Sequence, residues 1–163
     1  MKNKDLYIIA HNIRSAHNVG AIFRSSDGAG VKKIYLTGYS QRPAQKGKKT
    51  EEKNKPEKML EKTALGSEYS VAWEEAPNIF ELIEKLKKSG IKIVALEKTD
   101  RSVDVREFKP IFPMALVLGH EVDGVVDEIL DACDGEVDIP MRGKKESLNV
   151  SVAAGIAVYE ILR

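Results

Sequence analysis

Four short apolar runs, separated by stretches of helical periodicity, constrain this chain more than any other feature. They are Leu6-Tyr-Ile-Ile-Ala10, Lys33-Ile-Tyr-Leu-Thr37, Ile91-Lys-Ile-Val-Ala-Leu96 and Met114-Ala-Leu-Val-Leu118. Each has strand length and little polar interruption, as a strand buried on both faces requires. Helical patterns run from His17 to Gly30, from Val125 to Cys133 and from Ser147 to Leu162. Another opens at Pro77, carries Ile79, Phe80, Leu82, Ile83 and Leu86 on one apolar face, and closes at Gly90. Ser70-Val-Ala-Trp73 and Glu136-Val-Asp-Ile139 are shorter strand candidates. Strands alternating with helices predict an α/β fold, a mostly parallel sheet with helices on both faces. With no internal repeat or linker, residues 1–163 are expected to form one domain.

Composition narrows the setting. A chain that is 42% hydrophobic and 31% charged is globular rather than disordered. No apolar run approaches the ~18–20 residues that span a bilayer, and the apolar part of Met1–Ala10 is too short for a signal peptide. The single cysteine, Cys133, has no partner for a disulfide or a zinc site, so no metal is expected and a cytoplasmic setting is. The net charge is only +1, but Arg42–Lys62 holds eight Lys/Arg against four Glu, leaving the remainder at −3. Gly38 to about Pro56 lacks hydrophobic periodicity and reads as the longest loop. Its basic residues, Arg42, Lys46, Lys48 and Lys49 among them, suit a phosphate backbone, or are simply solvated.

Ligands of parallel sheets bind beyond the carboxyl ends of the strands. The dinucleotide fingerprint G-x-G-x-x-G and the phosphate loop G-x-x-x-x-G-K-[ST] are both absent. Three other segments carry chemistry. In Asn18-Val-Gly-Ala-Ile-Phe-Arg24, Asn18 reads as a helix N-cap, and Arg24 is either a bidentate anion grip or a surface arginine. In Leu116-Val-Leu-Gly-His-Glu121, Gly119 allows close backbone approach, His120 reads as a lining residue, and Glu121 can accept hydrogen bonds or a proton. The third is Ile139-Pro-Met-Arg-Gly-Lys-Lys-Glu-Ser-Leu-Asn-Val-Ser-Val-Ala-Ala154. There Ser147 is a natural N-cap, Asn149 offers a donor and an acceptor, and Ala153, Ala154, Gly155 and Ala157 form a small-residue face suited to close helix contact, in a dimer for instance.

In this order the three segments resemble the SpoU (TrmH-type) branch of the SPOUT methyltransferase superfamily. They match its N-x-G-x-x-x-R, L-x-L-G-x-E-x-x-G and I-P-M…S-L-N-V-S-V-A motifs, and Thr63-Ala-Leu-Gly66 is similar to a further family segment. The resemblance runs from Leu6 to Arg163. It implies a C-terminal deep trefoil knot, a homodimer and S-adenosylmethionine as cofactor. It also implies methylation of a ribose 2′-hydroxyl in tRNA or rRNA. The residues implied at the cofactor are Gly119, Ile139 and Leu148, with Leu96 and Met141 as neighbours. Arg24 matches the catalytic arginine, and Asn18, Glu121, Ser147 and Asn149 the polar residues around it.

A guanidinium has a pKa above 12, so Arg24 is expected to stabilise the developing oxyanion and adjacent phosphate rather than act as a base. Glu121 is expected to orient Arg24 or its own loop. Relatives often carry extra RNA-binding parts, so here the dimer surface, Arg24 and the basic loop are expected to hold the RNA. Three alternatives stay open: a tRNA wobble-position 2′-O-methyltransferase, a guanine N1 methyltransferase of the same superfamily, and a non-catalytic RNA- or nucleotide-binding module.

Overall fold

The apolar runs form the middle of one sheet. The computed structural model describes residues 3–163; Met1 and Lys2, part of the N-terminal stretch considered above, lie outside the described residues. The strands are β1 (Leu6–His11), β2 (Lys33–Thr37), β3 (Trp73–Glu75), β4 (Lys92–Leu96), β5 (Val103–Asp104), β6 (Met114–Leu118) and β7 (Gly135–Asp138). They pair in the order β3-β2-β1-β6-β4-β7-β5, every pair parallel, so all carboxyl ends lie along one edge. The helices are α1 (Ala16–Ala29), α2 (Lys55–Ala64), α3 (Ser67–Ser70), α4 (Ile79–Lys88), α5 (Asp127–Ala132) and α6 (Val150–Leu162).

The two-residue period of each strand divides the core. Leu6, Ile8 and Ala10 join Leu116 and Leu118 under Val19, Ile22 and Phe23 of α1, Leu60 of α2, and Ala154, Ala157 and Val158 of α6. On the other face Ile9, Ala115 and Val117 meet Leu82, Ile83 and Leu86 of α4 and Ile129 and Leu130 of α5. Burying side chains of this size stabilises the fold by about 1.5–3 kcal/mol each before conformational entropy is counted. Among the described residues no helix is long and apolar enough to cross a membrane.

Several boundaries differ from the expectations. The expected loop from Gly38 to about Pro56 contains a 3-10 turn at Thr50–Glu52 and ends where α2 begins, at Lys55. The cap of α2 is polar: Asn54 Oδ1 accepts from the Glu57 N–H at 2.9 Å, and Glu57 Oε2 accepts from the Asn54 N–H at 2.9 Å. A reciprocal capping box of this kind starts a helix that hydrophobic periodicity alone does not reveal. Helix α3 occupies Ser67–Ser70, so β3 begins only at Trp73. Phe80 sits in the first turn of α4 and is exposed, outside the apolar face assigned to it.

Gly20, the glycine of the first motif, is required by packing. A Cβ there would lie 2.1 Å from Thr63 Oγ1 and 2.3 Å from the Leu60 carbonyl oxygen, both in α2. Helices α1 and α2 therefore touch backbone to side chain at this point, and Thr63 Oγ1 donates to the His17 carbonyl at 2.8 Å. The small-residue face of α6 is likewise used inside the chain. Ala154 and Ala157 are buried, and Gly155 faces Ser25 of α1.

Candidate active site

The segments that end β1, β4, β6 and β7 converge at the carboxyl edge of the sheet, held there by register. Ala10 pairs with Leu118, Ala95 with Val117, and Leu96 with Val137. Between the loops that follow lies an open cleft of about 170 Å³. Leu96, Gly119, Ile139, Met141 and Leu148 all line it, together with Glu121 and Ser147. His120 also lines it, as expected.

Glu121 is the hub of the polar side. Its carboxylate accepts from the Ser15 N–H at 2.9 Å, the Arg14 N–H at 3.2 Å and Asn18 Nδ2 at 3.2 Å. Burial raises its pKa, but these donors and its own backbone outweigh that effect, and the carboxyl lies below the ordinary glutamate value. Glu121 therefore fastens the β1–α1 loop to the β6–α5 loop. It makes no hydrogen bond or ion pair with Arg24 among the described residues, so it orients the loop and not that arginine.

Two helix caps are corrected by the same contacts. Ser15, not Asn18, caps α1, its Oγ accepting from the Asn18 N–H at 3.3 Å. Asn149, not Ser147, caps α6, its Oδ1 accepting from the Ser151 N–H at 2.9 Å. Asn18 is thereby free of capping, and Asn149, whose Oδ1 caps α6, uses its Nδ2 to donate to Asn18 Oδ1 at 3.1 Å. Glu121, Asn18 and Asn149 thus form one chain from three distant segments. Ser147 lies exposed in the loop before α6.

Arg24 is exposed, two turns along α1 from the cap, with no side-chain partner among the described residues. A guanidinium without an internal partner is free to take an external anion. Among the basic residues named above, Arg42 pairs with Glu75 and Lys48 with Glu57, while Lys46 and Lys49 are exposed.

Gly119 has a reason the sequence did not show. A Cβ there would lie 2.4 Å from the Gly124 carbonyl, so the glycine lets the 119–124 loop close on itself. The loop is pinned by Glu97, unnoticed in the sequence, whose Oε2 accepts from the Val125 N–H at 2.8 Å. Nothing but its position just after β4 marks Glu97 as special. His120 completes the loop, with Nδ1 accepting from the Val122 N–H at 3.2 Å and the Asp123 N–H at 3.1 Å.

The lining suits a cationic ligand that carries an apolar ring system. Leu96, Leu118, Ile139 and Leu148 supply apolar walls, while Glu97, Glu121, Asp138 and Glu146 outnumber the one lysine, Lys98. S-adenosylmethionine, with its sulfonium, ammonium and adenine, has that character. The cleft is smaller than the ~300–1,000 Å³ of typical small-molecule sites, so part of such a ligand would lie in its open mouth. Burial pushes the Cys133 thiol up to about 12, which removes it as a nucleophile.

The chain is similar to known proteins over nearly its whole length. Residues 5–159 match the model of the SpoU rRNA Methylase family. A tRNA (guanosine(18)-2′-O)-methyltransferase of Aquifex aeolicus is 38% identical over 162 residues, covering 99% of this chain and 71% of that protein. The crystal structure of an A. aeolicus TrmH/SpoU tRNA modifying enzyme superposes with a TM-score of 0.80 at 35% identity, over 98% of this chain and 75% of that one. An AdoMet-bound rRNA methyltransferase from Sinorhizobium meliloti shares the fold at a TM-score of 0.80 and 24% identity, over 96% of this chain and 55% of that one. The chain spans 65–76% of the length of the tRNA methyltransferases it matches.

Proposed function

The chain belongs to the SpoU rRNA Methylase family, and from that premise we propose that it methylates a ribose 2′-hydroxyl of tRNA. The observation carrying this reading is the Glu121–Asn18–Asn149 chain, which brings the polar residues of all three motifs to the rim of an acidic, apolar-walled cleft. The similarity to the A. aeolicus tRNA enzyme favours tRNA over rRNA and a guanosine as the nucleoside. With that substrate the compartment is the cytoplasm.

In this reading the walls around Ile139 and Leu148 and the carboxylates about them hold S-adenosylmethionine, which supplies an electrophilic methyl group. Attack by the ribose oxygen is an in-line displacement, so positioning contributes much of the rate. Arg24 reaches the 2′-oxygen and the adjacent phosphate, stabilising negative charge as the hydroxyl proton leaves. Glu121, Asn18 and Asn149 fix the two loops between which the ribose sits. The contacts proposed for the RNA all lie on this one domain.

Two architectural features accompany the proposal. The segment from Ile139 to Asn149 is threaded as the family's trefoil knot, consistent with β7 lying between β4 and β5 while α6 returns to α1. The protein is a homodimer through the outer side of α6. Val152, Ile156 and Tyr159 recur there at helical spacing and are 51%, 40% and 56% exposed, an apolar stripe left over once the inner face has packed on α1. Light scattering that showed only a monomer would remove the dimer.

The test of function is incubation with methyl-labelled S-adenosylmethionine and total tRNA, followed by nucleoside analysis. The expected product is a 2′-O-methylated nucleoside, mapped to one position. Label on a base, or none in any RNA, would overturn the proposal.

A further inference from the structure

Tyr39 follows β2 by two residues and lies on the sheet edge that carries the cleft. Its turn is rigidly held. The Tyr39 N–H donates to Asn12 Oδ1 at 3.1 Å, and Ser40 Oγ accepts from the Ile13 N–H at 2.8 Å while donating to the Ala10 carbonyl at 2.8 Å. The β1–α1 loop is thus gripped by this turn on one side and by Glu121 on the other. Despite that anchoring, Tyr39 itself is 57% exposed.

Its ring is not isolated. It meets His120 edge-on, with centroids 6.3 Å apart and planes at 76°, and His120 lines the cleft. Two backbone N–H groups point at His120 Nδ1, with Asp123 Oδ2 3.3 Å from it, which makes Nδ1 the acceptor and leaves Nε2–H, 4.0 Å from Glu121 Oε2, as the ring's donor. Arg14, exposed and without an ion pair among the described residues, belongs to the loop between Tyr39 and Glu121. An open aromatic face, an imidazole donor and a guanidinium on fixed backbone are the groups by which proteins hold an unstacked nucleobase. A tyrosine loses little rotamer freedom in doing so.

We infer that Tyr39 and His120 form a subsite for the base of the nucleotide being methylated, with Tyr39 stacking on the base and His120 Nε2–H turned to its polar edge. The inference rests on the proposed RNA ribose methylation. It places the base beside the cofactor cleft and leaves the ribose toward Glu121, Asn18 and Asn149.

The test uses the tRNA position mapped with the wild-type protein. Two RNAs are compared, one intact and one abasic at that nucleotide with its 2′-hydroxyl kept. Single-turnover methylation is measured for wild type and Tyr39→Ala with S-adenosylmethionine saturating. On intact RNA, Tyr39→Ala should be slower or weaker-binding by about 10-fold or more, the scale of a lost base–aromatic stack, and Tyr39→Phe should rescue most of that loss. On abasic RNA the wild type and Tyr39→Ala should behave alike, because the contact is already gone. Equal losses on both RNAs, an altered oligomeric state or a lowered melting temperature in Tyr39→Ala would overturn the inference while leaving the methylation reading intact. No methylation of any RNA by the wild type would overturn both.

Discussion

Asn149 Nδ2 donates a hydrogen bond to Asn18 Oδ1 at 3.1 Å, joining residues 131 apart in the chain. The orientation of the Asn18 amide is dictated by its other contact, since only Nδ2 can donate to the Glu121 carboxylate. One amide therefore reads both neighbours, and neither end can be reversed without losing a bond.

Asn18→Asp tests that polarity. The substitution replaces the donor to Glu121 with a second carboxylate at 3.2 Å. Like charges at that distance raise one pKa strongly and leave the other oxygen unpaired. We expect a loss of about 1–3 kcal/mol at pH 7 in urea unfolding. The loss should shrink as the pH falls and one carboxylate takes up a proton. A variant as stable as wild type at pH 7 would show that the Glu121 contact contributes nothing.

Glu121→Gln probes the depressed carboxyl itself. Because the folded pKa lies below the unfolded one, the carboxylate stabilises the fold above the ordinary glutamate value of about 4.3. That contribution is lost as the pH falls through the lower, folded value. The wild type should therefore exceed Glu121→Gln by about 1–2 kcal/mol at neutral pH. The difference should vanish in acid, measured by unfolding at a series of pH values. A difference that grew on acidification would contradict the assigned direction.

Gly20→Ala should weaken the junction of α1 and α2. The added methyl carbon meets Thr63 Oγ1, which can rotate, but also the Leu60 carbonyl, which cannot move alone. Overpacking of this kind costs about 1–3 kcal/mol. Thermal unfolding reads the loss directly, and an unchanged melting temperature would mean that α2 shifts freely.

Arg24→Ala separates a substrate contact from a surface charge. With no internal partner to lose, the variant should unfold like wild type. Its single-turnover methylation should fall by about 10²–10³-fold, as when one oxyanion donor is deleted. Arg24→Lys should recover little, because an ammonium cannot supply two parallel hydrogen bonds. Retained turnover in Arg24→Ala would remove this arginine from the mechanism.

Salt dependence distinguishes the basic surfaces. Lys144 and Lys145 are exposed beside the cleft with no ion pair among the described residues, whereas Lys48 is paired with Glu57. Changing both Lys144 and Lys145 to Ala should lower the slope of log K against log salt for tRNA by up to about two units. Lys48→Ala should change it less, since its charge is already partly neutralised within the chain. The reverse ranking would place the RNA along the 42–62 segment.

The sequence by itself determined the layers of this protein and the edge where its chemistry lies. β2 and β6 occupy the runs read for them, and β1 and β4 differ by one residue at an end. The reason is local: a strand buried on both faces must be apolar throughout, and alternation assigns each residue to a face. The three motifs could likewise be placed after strands or at helix starts, which put their loops at one sheet edge. What the tertiary structure decided depends on groups far apart in the chain. Ser15 displaced Asn18 as a cap because Asn18 is committed to Glu121 and Asn149, 103 and 131 residues away. The two-residue β5 exists only because β7 offers it a partner. Helix α2 appeared where no apolar period announced it, started by a polar capping box and buried through Leu60 and Ala64. Gly119 and Gly20 were legible as glycines, but the atoms that exclude a Cβ belong to Gly124 in one case and to another helix in the other. Local pattern fixes which residues must be buried; sheet register and helix contact decide which polar groups are left to meet.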